Sequence, residues 1–198
     1  HRVKNNLQTI SSLLRLQGRR LASAEAKAAI DESVRRVRSI ALVHEILSRE
    51  AGEDVPFLEI VSDLTRIAEE AFAVPDRPIR VLVDGEPGAV PATVATPLAV
   101  VLNELLQNAA DHALPEGSGG GQVVLGLRRE GSELVVEVID DGQGLPPGFD
   151  LDAAGGLGLS IVRTLVTSEL AGSIVVAPAP DGPGTCVHLR VPIENRPA

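Results

Sequence analysis

Apolar residues recur at helical spacing through the first fifty positions of the chain. In residues 1–22 they lie three, four and seven positions apart, which is the period of an amphipathic helix with one buried side. The members of this stripe are Val3, Leu7, Ile10, Leu14 and Leu21, with Leu13 and Leu16 widening it. Gly18 weakens the last part of this predicted helix. A second stripe of the same period predicts another helix over about residues 26–49.

Two helices joined by a short connection are typical of an antiparallel hairpin. Such a hairpin leaves part of both apolar stripes without a partner. Two copies would bury both stripes as a four-helix bundle, and we therefore expect a homodimer. The alternative is that the hairpin packs against the remainder of its own chain.

The pattern changes after residue 52. Helical periods predict a third helix over residues 56–72, with Pro56 in its first turn, a long fourth helix over 93–113 and a last one over 157–169. Short runs rich in Val, Ile and Leu predict strands at residues 79–83, 122–129, 133–139, 173–177 and 185–191.

These elements place the chain in the α+β class. We expect a helical hairpin over residues 1–52, followed over residues 53–198 by an α/β sandwich with helices on one face of a mostly antiparallel sheet.

Composition narrows the classes of function. Hydrophobic residues make up 44% of the 198 positions, as in soluble globular proteins, but aromatic residues only 2%. Few aromatic side chains are available for base stacking, which disfavours a single-strand nucleic-acid binder. No apolar run approaches the roughly 20 residues that span a bilayer. The single cysteine, Cys186, excludes an internal disulfide and is expected to be a small core residue, so we expect a cytoplasmic protein. Because the chain has no Met, we expect it to be part of a longer protein.

Charge is unevenly distributed along the chain. Residues 1–50 carry ten Lys or Arg and five Asp or Glu, whereas residues 51–198 carry eight and twenty-two. The asymmetry favours two units with different partners, although two solvated surfaces of opposite sign would also explain it.

A polar stripe interrupts the apolar pattern of the fourth helix. Glu104, Asn108 and His112 follow one another at intervals of four, which places them on one face of the helix. Leucines occupy the opposite face, so the polar side chains would lie at the edge of a core, where they are costly unless something polar binds them. An amide oxygen suits Mg²⁺, a hard cation. The alternative is an exposed polar face without a ligand.

Two glycine-rich turns follow this helix. Asp140-Asp141-Gly142-Gln143-Gly144 ends a predicted strand, where the glycines permit a tight turn and a carboxylate can accept a hydrogen bond from an exocyclic amine. Gly155-Gly156-Leu157-Gly158-Leu159 precedes a helix, whose free backbone amides and dipole favour phosphate. The second turn lacks the Gly-Lys-Ser/Thr of a Walker A motif.

In this order and spacing, the segments resemble the ATP-binding unit shared by histidine kinases, gyrase, Hsp90 and MutL. The run from Asn103 to His112 is similar to the N box, the two glycine turns are similar to the first and second glycine boxes, and Gly182-Pro183-Gly184-Thr185 is similar to the last, threonine-bearing turn. The resemblance implies a Bergerat-type (GHKL) ATPase domain that binds ATP and Mg²⁺.

The resemblance also implies roles for individual residues. Asn108 would hold Mg²⁺, Asp140 would bind the adenine amine, and Glu104 would polarise or position groups at the γ-phosphate. The full set of implied cofactor-binding residues is Asn108, Asp111, His112, Asp140, Gly142, Gly144, Gly156, Leu157, Gly158, Leu159 and Thr185.

The beginning of the chain indicates which branch of this superfamily applies. His1-Arg2-Val3-Lys4-Asn5-Asn6-Leu7-Gln8 is similar to the phosphoacceptor box of the HisKA_2 sensor histidine kinases, close to the HWE kinases and most of all to the actinobacterial PdtaS-like group. Residues 35–45 resemble the second hairpin helix of the same group. This implies that His1 attacks the γ-phosphate of ATP and passes it to an aspartate of a response regulator. Regulators in this branch often carry RNA-binding antitermination outputs.

Two positions depart from the family pattern and favour an alternative. Asp111 stands where many relatives carry a basic residue that contacts phosphate, and Arg2 follows the phosphoacceptor where other histidine kinases have an acidic residue. The alternative function is an ATP- or ADP-binding dimerisation scaffold, or a response-regulator phosphatase, without kinase activity. A further candidate is an ATP-gated clamp of the gyrase or MutL type. It is disfavoured because we expect a dimeric hairpin before the ATPase unit and no transducer domain after it.

Overall fold

The computed structural model describes residues 2–19, 54–71, 79–112, 120–151 and 157–193, and also residues 23, 26, 27, 29, 30, 33, 34, 37 and 41. The chain divides into two compact units, His1–Ala51 and Gly52–Ala198. None of the helices in these ranges combines the length and the apolar composition that crossing a membrane requires.

The first unit begins with helix α1 (Arg2–Gly18). The helix ends at Gly18, four residues before the predicted end. A Cβ atom on Gly18 would lie 2.9 Å from Cγ2 of Ile30, so the glycine allows residues 18 and 30 to approach closely. Residues 26, 27, 29, 30, 33, 34, 37 and 41 are helical, as predicted for the second helix, whose remaining positions lie outside the described residues.

Helix α1 presents a large apolar surface. Ile10, Leu13 and Leu16 are 45%, 58% and 51% exposed. Side chains of this size normally find a partner when they lie together on one helix, because exposing them forfeits roughly 1.5–3 kcal/mol each. The apolar stripe predicted from the sequence therefore remains only partly buried within the chain.

The described part of the second unit contains three α-helices, a five-stranded sheet and a separate pair of short strands. The helices are α2 (Phe57–Ala71), α3 (Ala92–His112) and α4 (Leu157–Thr164). The strands are β1 (Asp54–Pro56), β2 (Ile79–Asp84), β3 (Ala89–Pro91), β4 (Gly121–Glu130), β5 (Glu133–Asp140), β6 (Ser173–Pro178) and β7 (Thr185–Pro192).

The order in the large sheet is β2-β4-β5-β7-β6. Strands β2 and β4 are parallel, and the other three pairs are antiparallel. This arrangement confirms the α+β class and the mostly antiparallel sheet that the sequence predicts.

Alternation along the strands decides which face of the sheet meets the helices. Leu125, Val138 and Val187 lie side by side on three neighbouring strands and are all buried. Leu98 and Leu102 of α3 are completely buried as well, so the long helix contributes to the same core. On the opposite face most residues are half-buried or exposed, as the two-residue period of a strand predicts, although Val135 is buried there too.

Cys186 lies on the face of the sheet turned away from this core. Its strand neighbour Ile139 and the cysteine itself are both half-buried, whereas the sequence predicted a small core residue. Burial, followed by the charges of Glu137 and Asp140, raises the pKa of the Cys186 thiol. The thiol is therefore held in its protonated, weakly nucleophilic form.

A short ladder between β1 and β3 was not predicted from the sequence. Val55 and Val90 face each other across it and are buried, at 1% and 0% exposure. Pro56, predicted to lie in the first turn of the third helix, is instead the last residue of β1. The helix begins at Phe57, whose N–H donates to the carbonyl of Gly88 at 3.3 Å. Strands of three residues show too little alternation to be recognised in a sequence.

The last helix continues into a π-helical turn. The α-helical part ends at Thr164, and Leu165–Glu169 form the turn, with the N–H of Leu170 donating to the carbonyl of Leu165. Ala171 then adopts φ = 50°, and Gly172 donates to the carbonyl of Val166 at 2.8 Å. A left-handed residue at this position is a common way to end a helix, but it is usually a glycine.

Replacing Ala171 by glycine is expected to stabilise the protein by roughly 0.5–1 kcal/mol. The gain arises because a Cβ in the left-handed region is strained, which outweighs the extra freedom of glycine in the unfolded chain. Urea unfolding measures the difference. Ala177→Gly on β6 is the control and should lower stability, because that residue has no such strain. A loss of stability in Ala171→Gly would contradict this explanation.

Candidate functional site

Helix α3 carries the predicted polar stripe at the edge of the core. Glu104 is only 4% exposed although it is a carboxylate. The alternative of a fully exposed polar face is therefore wrong for Glu104. A buried carboxylate is expensive to maintain, and such positions are often functional.

Asn108, one turn further along α3, has an unused hydrogen-bonding atom. Its side chain is half-buried, and Nδ2 is buried without a hydrogen-bond partner in the part of the chain that the structure describes. An unsatisfied buried amide costs roughly 1–3 kcal/mol. Rotation about χ2 exchanges the amide oxygen and nitrogen, so either atom can turn towards a ligand. The residue thus fits the role of a metal- or phosphate-binding amide that the fold itself leaves unsatisfied.

The end of α3 carries Asp111 and His112. Asp111 is exposed, and its Oδ2 accepts a hydrogen bond of 2.9 Å from Nε2 of Gln107. His112 is the last residue of the helix. The described contacts of Asp111 are thus those of a surface carboxylate held by the preceding turn of its own helix.

Asp140 ends β5 and is held by two backbone amides. Its Oδ1 accepts hydrogen bonds from the N–H of Gly142 at 3.0 Å and from the N–H of Thr185 at 3.2 Å. The first bond closes the glycine turn, and the second joins it to the beginning of β7, 45 residues later. Neither backbone bond uses Oδ2, and the side chain of Thr185 makes a further hydrogen bond to the same carboxylate. The two oxygens of a carboxylate can together accept about four hydrogen bonds, so the group can still accept a donor from outside the loop.

Close backbone packing keeps the turn and β7 together. A Cβ on Gly184 would overlap the carbonyl oxygen of Asp140, and a Cβ on Gly144 would lie 3.2 Å from the carbonyl oxygen of Gly184. Both glycines have positive φ, 76° at Gly144 and 137° at Gly184. Gly184 was not among the predicted site residues, although it belongs to the Gly182-Pro183-Gly184-Thr185 turn that resembles the last motif of the family.

A second carboxylate fixes the neighbouring strand. Oδ1 of Asp141 accepts a hydrogen bond of 2.8 Å from the N–H of Gln122, and the N–H of Asp141 donates to the carbonyl of Gln122 at 3.2 Å. Asp141 therefore ties the end of β5 to the beginning of β4, directly beside Asp140. The sequence contained no signal for this contact.

Burial is the main cause that raises the pKa of Asp140 above the usual aspartate value. Its hydrogen bonds with Gly142 and Thr185 act in the opposite direction, and the charge of Asp141 adds to the increase. The folded protein therefore holds the proton of Asp140 more tightly than the unfolded chain does.

This shift predicts a pH dependence of stability. A raised folded-state pKa contributes stability that is complete below the unfolded-state pKa and is lost as the pH rises through the folded-state pKa. In Asp140→Asn an oxygen acceptor remains for both amides, but the titration is removed. We expect the free energy of unfolding of the wild type, relative to that of this variant, to fall as the pH rises from the unfolded-state pKa of Asp140 through its folded-state pKa. Urea unfolding between about pH 4 and 7 measures this difference. Parallel stability curves for the two proteins would contradict the assignment.

The glycine-rich beginning of α4 is described in part. Leu157 is the first residue of the helix, Gly158 is buried and Leu159 is half-buried. Gly156 and the proposed phosphoacceptor His1 lie outside the described residues. Helix α3 packs against both α4 and β5, so the elements that carry Asn108, Gly158 and Asp140 belong to one packed unit.

The structure thus brings four predicted site residues into one cluster at the ends of β5 and β7. They are Asp140, Gly142, Gly144 and Thr185, linked by the contacts described above. The carboxylate of Asp140 can accept a hydrogen bond from an amine, and the amide oxygen of Asn108 can bind a hard cation such as Mg²⁺. A magnesium-bound adenine nucleotide carries both groups.

Two family models match the chain. Residues 1–72 match HisKA_2, described as histidine kinase, and residues 93–195 match the family described as histidine kinase-, DNA gyrase B-, and HSP90-like ATPase.

Sequence relatives and solved structures agree with these matches. The sensor histidine kinase PdtaS of Mycolicibacterium smegmatis is 49% identical over 196 residues, which are 99% of this chain and 39% of that protein. PdtaS of Mycobacterium tuberculosis is 47% identical with the same coverage. The chain therefore spans about two fifths of the length of these relatives.

Similarity of fold extends to a solved kinase structure. The histidine kinase domain of the blue-light-activated histidine kinase EL346 from Erythrobacter litoralis superimposes with a TM-score of 0.67, covering 97% of this chain and 89% of that domain at 24% identity. Together, the matched regions and the relatives show that the chain belongs to the sensor histidine kinases of the HisKA_2 group, with a catalytic domain of the ATPase type shared with DNA gyrase B and HSP90.

Proposed function

We propose that the chain is the catalytic core of a two-component sensor histidine kinase that phosphorylates His1 from Mg-ATP and passes the phosphate to an aspartate of a response regulator. The single observation that carries this proposal is the Asp140 carboxylate, because backbone amides occupy Oδ1 and neither uses Oδ2. That arrangement fits a site for a purine amine, within a chain whose relatives are histidine kinases.

The proposed nucleotide site assigns a task to each element. Oδ2 of Asp140 accepts the exocyclic amine of adenine, and the amide of Asn108 turns towards Mg²⁺. The N–H groups of Leu157 and Gly158 at the beginning of α4, together with that of Gly156, which lies outside the described residues, would bind the phosphates, and Leu159 continues this segment. When bound, Mg²⁺ would neutralise charge on the phosphates and so supply part of the electrostatic stabilisation that phosphoryl transfer needs.

Glu104 and His1 act at the γ-phosphate, the first as a positioning residue and the second as the nucleophile. Glu104, buried on α3, positions or polarises groups near the γ-phosphate. The unprotonated ring nitrogen of neutral His1 would form the new N–P bond while the bond from the γ-phosphorus to the β,γ-bridging oxygen breaks. ADP leaves with the electron pair of that bond, and the N–H proton of the ring is released to solvent. Because transfer of this kind depends mainly on placement and charge, the main task of the chain is to position His1 and the nucleotide.

The partners follow from the first unit. We propose that the exposed Ile10, Leu13 and Leu16 of α1 are buried in a four-helix bundle between two copies of the chain. The first fifty residues are basic, which suits docking of an acidic response-regulator surface. A regulator with an RNA-binding antitermination output remains the expectation from the resemblance.

Incubation of the full-length protein with ATP labelled at the γ-phosphate tests the proposal. We expect a label on the protein that is labile in acid and stable in base, as a phosphohistidine is. A protein that binds ATP but acquires no such label would contradict kinase activity.

The second candidate is a nucleotide-binding scaffold or a response-regulator phosphatase without kinase activity. The exposed Asp111, where many relatives carry a basic residue that contacts phosphate, favours it. This candidate predicts tight ADP or ATP binding and unchanged function when His1 is replaced by glutamine. Loss of function in that variant would exclude it.

A further inference from the structure

We propose that Asp111 makes nucleotide binding conditional on a divalent cation, so that the site selects the metal complex of ATP over free ATP. The inference rests on the proposed function, because it concerns the same nucleotide site. It assigns to Asp111 a specificity-determining role in place of the phosphate contact that the resemblance implies.

The position of Asp111 on α3 supports this role. It follows Asn108 by three residues, so the two side chains are neighbours on adjacent turns of the helix. Its carboxylate is held at the helix surface by the 2.9 Å hydrogen bond from Nε2 of Gln107 to Oδ2. This contact is with a neutral amide, which leaves the negative charge of Asp111 without compensation from that partner.

The end of α3 is negative for a second reason. The helix terminates at His112, and its last carbonyl groups present the negative end of the helix dipole. No Lys or Arg occurs between Asn108 and His112. A triphosphate next to Asn108 would therefore meet a carboxylate and a helix carboxyl end, both of which repel it.

A bound cation changes the sign of this interaction. Mg²⁺ held by Asn108 and the phosphates reduces the negative charge of the nucleotide and is itself attracted by Asp111. Asp111 therefore weakens binding of metal-free nucleotide and favours binding of the metal complex. The expected difference in selectivity is about tenfold, a typical effect of one charge at a partly solvated site.

Calorimetric titration of the full-length protein with ATP tests the inference, once with excess Mg²⁺ and once with EDTA, at constant ionic strength. Asp111→Asn preserves an acceptor for Gln107 and removes the charge. We expect the ratio of the EDTA Kd to the Mg²⁺ Kd to fall by about tenfold in this variant, mainly because binding without metal improves. The Asp111→Lys variant should lower the ratio further.

Asp84→Asn is the matched control, because Asp84 is an exposed carboxylate of the same unit at the end of β2. The ratio of the EDTA Kd to the Mg²⁺ Kd in Asp84→Asn should equal that of the wild type. An unchanged ratio in Asp111→Asn, with normal ATP binding, would overturn the inference and leave the proposed function intact. Absence of ATP binding by the wild type with Mg²⁺ would overturn both.

Discussion

Replacing Asp140 by asparagine is expected to weaken ATP binding by roughly 30- to 1,000-fold, or about 2–4 kcal/mol, while the fold is preserved. In the wild type, Oδ1 accepts the N–H groups of Gly142 and Thr185, and neither of these bonds uses Oδ2. The asparagine oxygen must replace Oδ1 to satisfy these amides. Its NH₂ group then occupies the place of Oδ2, where a donor would face the donor amine of the purine.

Asp141→Asn is the matched control for this variant. It removes the same charge one residue away and retains an oxygen that can accept the N–H of Gln122. We expect its ATP affinity, measured by calorimetry, to change by less than about threefold. Similar losses in both variants would show that charge at the end of β5, not a specific hydrogen bond from Asp140, supports binding.

Replacing His1 by glutamine is expected to abolish phosphorylation of the protein by ATP. Glutamine has no nucleophilic nitrogen, and removal of a nucleophile lowers the rate of the chemical step by about 10³-fold or more. Because His1 belongs to the first unit and the nucleotide site to the second, ATP affinity should change by less than about twofold. Label incorporation in the full-length protein, measured beside calorimetry on the same preparation, separates the two effects.

His44→Gln serves as the control, since His44 is the other histidine of the first unit. This variant should incorporate label as the wild type does. If label incorporation persists in His1→Gln and disappears in His44→Gln, the phosphoacceptor is His44 and our proposal for His1 is wrong.

The longer elements of the second unit could be predicted from the sequence because their periods are strong. The fourth helix was predicted over residues 93–113 and is observed as Ala92–His112, and every predicted strand is present within a few residues. What the sequence did not reveal are short or irregular features. The β1–β3 ladder has only three residues in each strand, and the π-helical turn at Leu165–Glu169 is a single local change of hydrogen-bond spacing within a longer helical segment.

The candidate site was predictable in its residue types but not in its contacts. Turn chemistry identified Asp140 and its glycines, and helical spacing identified Glu104 and Asn108. The bond between Thr185 and Asp140 spans 45 residues and was not predicted; the resemblance to a known family implied only that both residues belong to one site. The hydrogen bonds between Asp141 and Gln122 and the packing of Gly184 depend on which strands become neighbours, which local patterns do not specify.

A crystal structure of the full-length protein with Mg²⁺ and a non-hydrolysable ATP analogue tests the central claim most directly. The account predicts the purine amine within hydrogen-bond distance of Oδ2 of Asp140, and the metal ion on the amide oxygen of Asn108. It also predicts phosphate oxygens on the backbone amides at the beginning of α4. An analogue bound elsewhere, or bound here with Asp140 and Asn108 both turned away from it, would contradict the account.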